Sequence, residues 1–201
     1  MTGSPARTRM SKDDRRARIL AAAVEIIGDK GFHGFSIRDL AVRCEMTDAG
    51  LLHHFGSKVA LLTAVLDERD RQDEIAIAAA LGEEADPARR TPEAVRHILR
   101  ALVRRNGDKP EFVRLYAMLR VEAMAPDHPA HAYFQQRDAA AHRMFSQMLA
   151  VIDPDSDSLA RQVLAALDGL ELQWLRDRQA FDLVGEWDKL ADKLLRPSGG
   201  A

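Results

Sequence analysis

The segment Thr47-Asp48-Ala49-Gly50-Leu51-Leu52-His53-His54 carries side chains suited to reading the edge of a base pair. Ala49 and Gly50 leave room for close approach and for contact with a thymine methyl, and Asp48 can accept from a cytosine amine. His53 adds a hydrogen-bonding tip and Leu52 an apolar one, whereas His54 reads as a structural, hydrogen-bonding histidine and Leu51 and Phe55 as core. Phosphate neutralisation needs cations and free backbone N–H groups. Arg15, Arg16, Arg38 and Lys58 supply the first, and helix starts at Ser36 and Thr47 supply the second.

Other chemistries are weaker in this sequence. His128 and His131, with His142 and Glu122, could converge on a metal, but their spacing across a proline-containing loop favours solvated histidines. Cys44 stands among apolar neighbours and reads as a small core residue. No phosphate-binding glycine loop and no serine elbow occurs, so the residues imply no cofactor, no metal and no catalysis.

The elements that must position these groups are helices. Apolar positions recur at helical spacing and no alternating strand is found, so the fold class is all-α with about nine helices. A first helix is expected from Lys12 to Lys30, with Ile19, Ala23, Ile26 and Ile27 on one face and Gly31 behind it as the stop. Ser36 and Asp39 form a capping box that starts a helix ending at Arg43. After Cys44-Glu45-Met46, Thr47 caps a helix over Asp48–His54. Two short helices joined by such a turn make a helix-turn-helix. Gly56 and Ser57 then open a long fourth helix carrying Leu61, Leu62, Val65 and Leu66. Further helices are expected over Pro92–Asn106, Pro110–Ala125, Pro129–Val151, Ser158–Arg178 and Asp182–Leu195.

Charge divides the chain in the same place. Residues 1–58 hold 10 Lys and Arg against 7 Asp and Glu, while the remainder holds 19 against 24, giving net charges of +3 and -5. The basic excess centres on Arg7, Arg9, Lys12, Arg15, Arg16 and Arg18, opposed by Asp13 and Asp14. This asymmetry suggests a unit over 1–58 that meets polyanions and a second over 59–201 that does not. At 201 residues and 46% hydrophobic the chain can bury a full core. A single cysteine and the lack of a long apolar run point to a soluble, cytoplasmic protein without disulfides or membrane contact.

Residues 31–61 resemble the DNA-binding signature of the tetracycline-repressor (TetR) family of bacterial regulators. The likeness is carried by Gly31-Phe32, Ser36, Leu40-Ala41, Thr47, Leu51, His54-Phe55, Ser57-Lys58 and Leu61. It implies a three-helix DNA-binding head, a fourth helix leading to a regulatory body, and homodimerisation through the last two helices. It also implies a repressor that sits on a near-palindromic DNA operator until a small-molecule effector releases it; the alternative is a helix-turn-helix regulator without such an effector, constitutive or controlled by another protein. Two positions depart from the pattern. Glu45 stands where the family usually has a turn glycine, at a cost of roughly 1–2 kcal/mol if it must be left-handed. Ala49 and Leu52 replace the usual Gly and Tyr, which removes a phosphate-binding phenol and leaves that contact to His53.

In the body, His97, Arg100, Tyr116, Glu122, His142 and Gln173 are polar groups among apolar positions and are expected to line an effector cavity, with Asp168 a further such group. Leu159, Val163, Leu167, Leu170, Trp174, Val184, Trp187 and Leu190 make the last two helices so apolar that a second copy is expected to cover part of them. The stretch Leu167–Leu175 also resembles the choline-pathway (BetI-like) branch of the family.

Overall fold

The computed structural model describes residues 11–82 and 91–196. Arg7 and Arg9 of the basic arm lie outside the described residues. Nine helices occur there and no strand: α1 Lys12–Gly34, α2 Ile37–Arg43, α3 Asp48–Phe55, α4 Lys58–Leu81, α5 Pro92–Gly107, α6 Pro110–Glu122, α7 His131–Leu149, α8 Ser156–Arg176 and α9 Leu183–Leu194.

The sequence dictates most of these limits through side-chain caps. Ser36, Thr47, Ser57 and Thr91 each accept from the backbone N–H three residues on, at 3.1, 3.1, 3.0 and 3.2 Å. Each satisfies a donor that the helix start would otherwise orphan. Pro92 and Pro110 sit where a missing N–H costs nothing. At the other end of α8, Arg178 and Gln179 turn left-handed with φ of 53° and 64°, so the helix stops at Arg176 rather than Arg178.

Gly31 does not end α1 as a stop. It adopts φ 71° and ψ 174°, a kink after which one more turn runs to Gly34. Glycine is required there twice over, by the left-handed φ and by a side-chain carboxylate: a Cβ would stand 2.1 Å from Glu122 Oε1. Gly28 serves packing instead, since a Cβ there would meet the Leu115 backbone nitrogen at 3.2 Å and hold α1 and α6 apart.

Two apolar cores result. The first joins Ile19, Ala23 and Ile27 of α1 to Leu40, Leu51, Phe55, Leu62 and Val65, and it continues into Leu115 and Leu119 of α6 and Phe134 of α7. Packing therefore does not break at residue 58; the three-helix head rests on α4 and α6. The second core unites Ile98 and Leu99 of α5, Phe145 and Leu149 of α7, Val163 and Trp174 of α8, and Trp187 of α9. Truncating any fully buried leucine of either core would cost about 2–5 kcal/mol.

Candidate functional site

In the head, α2 and α3 are held by their caps and by the turn between them. Cys44 N–H donates to Leu40 O and Met46 N–H to Ala41 O, both at 2.9 Å. Glu45 sits between them at φ 56°, so the left-handed residue the turn demands is supplied without glycine. Leu51 and Phe55 bury one face of α3, and Cys44 is buried beneath α2. The opposite face, with Thr47, Asp48, Ala49, Leu52 and His53, is open to solvent, and Gly50 is half-buried beside the Thr47 hydroxyl.

Cations gather around that face. Arg15 and Arg38 are exposed and make no ion pair among the described residues. Arg16 lies over the Phe55 ring at 4.7 Å, which fixes the start of α1 beside the end of α3. Partial burial, then the positive charges of His53, Arg15, Lys12 and Arg16, push the His54 imidazole below its ordinary value. Such a field of like charge is what a polyanion would relieve.

Lys58 is turned inward. Its Nζ donates to Phe35 O at 2.7 Å and lies over the Phe32 and Phe35 rings at 4.6 and 4.5 Å, and burial pushes its ammonium down. Its remaining donors, not a free side chain, are what it can offer a phosphate.

Glu122 belongs to the head's support and not to an effector cavity. From the end of α6 its Oε2 accepts the Phe32 N–H at 2.6 Å, reaching across the kink at Gly31. His128 stands behind it, with Nε2 at 3.6 Å from the same oxygen. The His128 ring is buried, packs edge-on against Phe32 and His33 at 5.4 and 5.3 Å, and accepts the Ala130 N–H through Nδ1. The other histidines considered for a metal do not join them: His131 Nδ1 bonds Ala123 O at 2.7 Å, and His142 Nε2 bonds Asp157 O at 3.2 Å. No group of three metal-ligating side chains is found among the described residues.

In the body, α4 to α8 line a partly open chamber of about 150 Å³. Tyr116 lines it. Its hydroxyl is 2.7 Å from that of Tyr133, and Asp70 accepts from both, at 3.3 and 2.8 Å. Burial above all pushes the Tyr116 phenol up to about 12. His142 lines an open groove of about 790 Å³ outside the chamber. The other expected residues lie elsewhere. His97 and Arg100 border a separate surface depression, where Arg100 pairs with Asp188 at 2.9 Å, and Gln173 is exposed on α8. Helical spacing gave each residue a face, but which face met a neighbour depended on how the helices docked.

Four arginines that sequence reasoning passed over form the chamber's polar wall, Arg69, Arg105, Arg120 and Arg137, one each from α4, α5, α6 and α7. Asp73 receives Arg69, Arg105 and Arg137 together. Arg120 pairs with Asp168 at 2.6 Å and Asp138 at 2.8 Å. A signal was present. The apolar stripe Leu62, Val65 and Leu66 continues at helical spacing into Arg69 and Asp73, so charged residues occupy the buried face of α4. Three donors in this wall, Arg69 Nε, Arg105 Nη2 and Arg120 Nε, are buried without a partner among the described residues, each costing roughly 1–3 kcal/mol.

The expected dimer residues divide. Leu159, Val163, Trp174 and Trp187 are buried within the protomer as core, not contact surface, because α5, α7 and α9 cover them. Leu167, Leu170, Val184 and Leu190 are half-buried, and Leu172 is 46% exposed.

Residues 19–65 match the family model described as bacterial regulatory proteins, tetR family. Over 58 residues the chain is 38% identical to the transcriptional activator FasR of Mycolicibacterium smegmatis, covering 29% of this chain and 26% of that protein. It thus spans about a quarter of the length of that relative. Over 196 residues it is 26% identical to the regulator TtgR of Pseudomonas putida, covering 92% of both. Its fold superposes on the crystal structure of AibR in complex with isovaleryl coenzyme A and operator DNA with a TM-score of 0.72, at 22% identity and over 91% of this chain and 99% of that one.

Proposed function

Because this chain belongs to the tetR family of bacterial regulatory proteins, we propose that it is a homodimeric, sequence-specific transcriptional repressor released from its operator by a small-molecule effector. The observation that carries the reading is the exposed strip Thr47, Asp48, Ala49, Leu52 and His53 on a capped α3, with Arg15 and Arg38 in the same head exposed and without an ion pair among the described residues. Residues 1–58 act as the DNA-binding unit and 59–201 as the regulatory and dimerising unit. The latter pairs through Leu167, Leu170, Leu172, Val184 and Leu190, above the tryptophan core. No reaction is assigned to the chain, and a DNA partner puts its site of action in the cytoplasm.

Two copies of α3 must then sit about 34–36 Å apart, or a multiple of that, to enter successive major grooves. An effector acts by binding the DNA-fitting and non-fitting arrangements with unequal affinity. The route from body to head is α6, which packs along α1 and holds the kink at Gly31 through Glu122. AibR, whose structure contains both a coenzyme A thioester and operator DNA, supports the coupling of these two kinds of ligand.

The test is selection of bound duplexes from a random pool, followed by footprinting and titration at several salt concentrations. A near-palindromic site is expected, with a salt slope that falls by about one when Arg38 becomes Ala and by less when Lys58 does. Equal affinity for every duplex in the pool would overturn the assignment.

A further inference from the structure

The chamber in the body has a wall of guanidiniums whose N–H groups are not all met, although acids stand among them. Arg69 and Arg105 share one carboxylate, Asp73, with Arg137, which also reaches Asp70 at 3.2 Å. The side chain of Arg69 is only 7% exposed. Its Nη2 reaches Asn106 Oδ1 at 3.3 Å while its Nε meets no acceptor among the described residues. Arg105 Nη2 and Arg120 Nε are buried and without an acceptor there in the same way. A further acid, Glu171, accepts from Asn106 at 2.7 Å, and burial pushes its carboxyl above the usual carboxylate range. Buried guanidinium donors are rarely left unpaired, because an interior of low polarity offers them no water.

We propose that this chamber is a binding site for the carboxylate of a small organic acid, held by Arg69, Arg105 and Arg120 with its apolar end among Leu102, Val103 and Leu164. A guanidinium presents N–H groups in a planar fork that matches a carboxylate, and charge assistance makes such bonds strong. The chamber's 150 Å³ is roughly five times the volume one water takes in the liquid, which suits a carboxylate with a short chain or a single ring. Access comes from the outer groove, because chamber and groove share Arg120, Ala141, Leu164 and Asp168. The pair Arg120–Asp168 stands at that junction, and an incoming carboxylate competes with Asp168 for the guanidinium.

The inference deepens the effector reading and rests on it only for the release of DNA. Its test uses straight-chain carboxylates from acetate to octanoate and benzoate, each against its amide, at fixed pH and ionic strength. Thermal unfolding and calorimetry report binding, and a duplex selected by the protein reports release. At least one acid should raise the melting temperature saturably while its amide does not. Arg105→Gln and Arg120→Gln should each weaken that acid tenfold or more, with Arg120→Lys recovering part of the loss and ligand-free DNA affinity staying within about twofold. The site is overturned if no acid binds, if amides bind as well as acids, or if an acyl coenzyme A binds where its free acid does not. The acid–amide comparison on the unaltered protein decides the matter even if a variant misfolds. An acid that binds and leaves the duplex in place upholds the site and overturns the effector reading alone.

Discussion

The head caps its short helices at close range in the sequence, whereas the chamber in the body pairs its polar groups over long stretches of chain. In the head, Ser36, Thr47 and Ser57 each close a bond to a backbone N–H three residues away. In the body, Asp70 gathers Tyr116, Tyr133 and Arg137 from 46, 63 and 67 residues along. The first kind of order is encoded in windows a few residues wide. The second exists only once α4, α6 and α7 have docked.

The strongest break of this contrast is Asp73→Ala. It removes the one acceptor common to the buried Arg69 and the half-buried Arg105 and Arg137, and a loss of about 3–5 kcal/mol is expected in denaturant unfolding. A loss below about 1 kcal/mol would mean that the body network is no more critical than a helix cap. Next is Gly31→Ala, where a left-handed φ and the displaced Glu122 bond together should cost about 3 kcal/mol and weaken DNA binding with it. Retained stability there would show the kink to be adaptable.

Acid should act at the same junction. Burial holds the His128 imidazole below its ordinary value of 6.5, against the opposing pull of Glu122 and Asp127 and alongside the like charge of His33. Lys58, over the Phe32 ring, is the remaining nearby cation. Below about pH 6.5 the unfolded chain binds a proton that the folded ring refuses. Stability from this group is therefore complete above that pH, falls as the pH drops, and stops falling once the folded ring also protonates. His128→Gln should flatten that limb; an unchanged limb would assign it to His54, whose imidazole is also held low. The smallest effect is a gain. Glu45→Gly relieves a left-handed side chain in the turn and should add roughly 0.5–1 kcal/mol, read as a higher unfolding midpoint.

What was legible from sequence follows the same division. The capping box at Ser36, the Thr47 cap and the left-handed demand on Glu45 could be read because each is settled by its neighbours in the chain. Tyr116 fell in the chamber, yet Glu122, six residues on, did not, since the end of α6 meets the head while its middle meets α4 and α7. Trp174 and Trp187 were correctly apolar, but spacing does not distinguish a face covered by α5 and α7 from one covered by a second copy. The four chamber arginines were hidden for a different reason. Arginine is ordinarily a surface residue, and only the register of Arg69 with Val65 and Leu66 betrays its burial.

The setting of His128 makes it a built-in spectroscopic reporter. Because Nδ1 accepts the Ala130 N–H, the neutral ring must carry its hydrogen on Nε2, the nitrogen that faces Glu122. A buried ring N–H of this kind is sheltered from solvent exchange and gives its own nitrogen-15 resonance. Any rotation of the head that draws Phe32 and Glu122 apart would alter the shielding at that single nucleus. A change at this junction between α6 and the kinked end of α1 can thus be followed in solution without attaching a label.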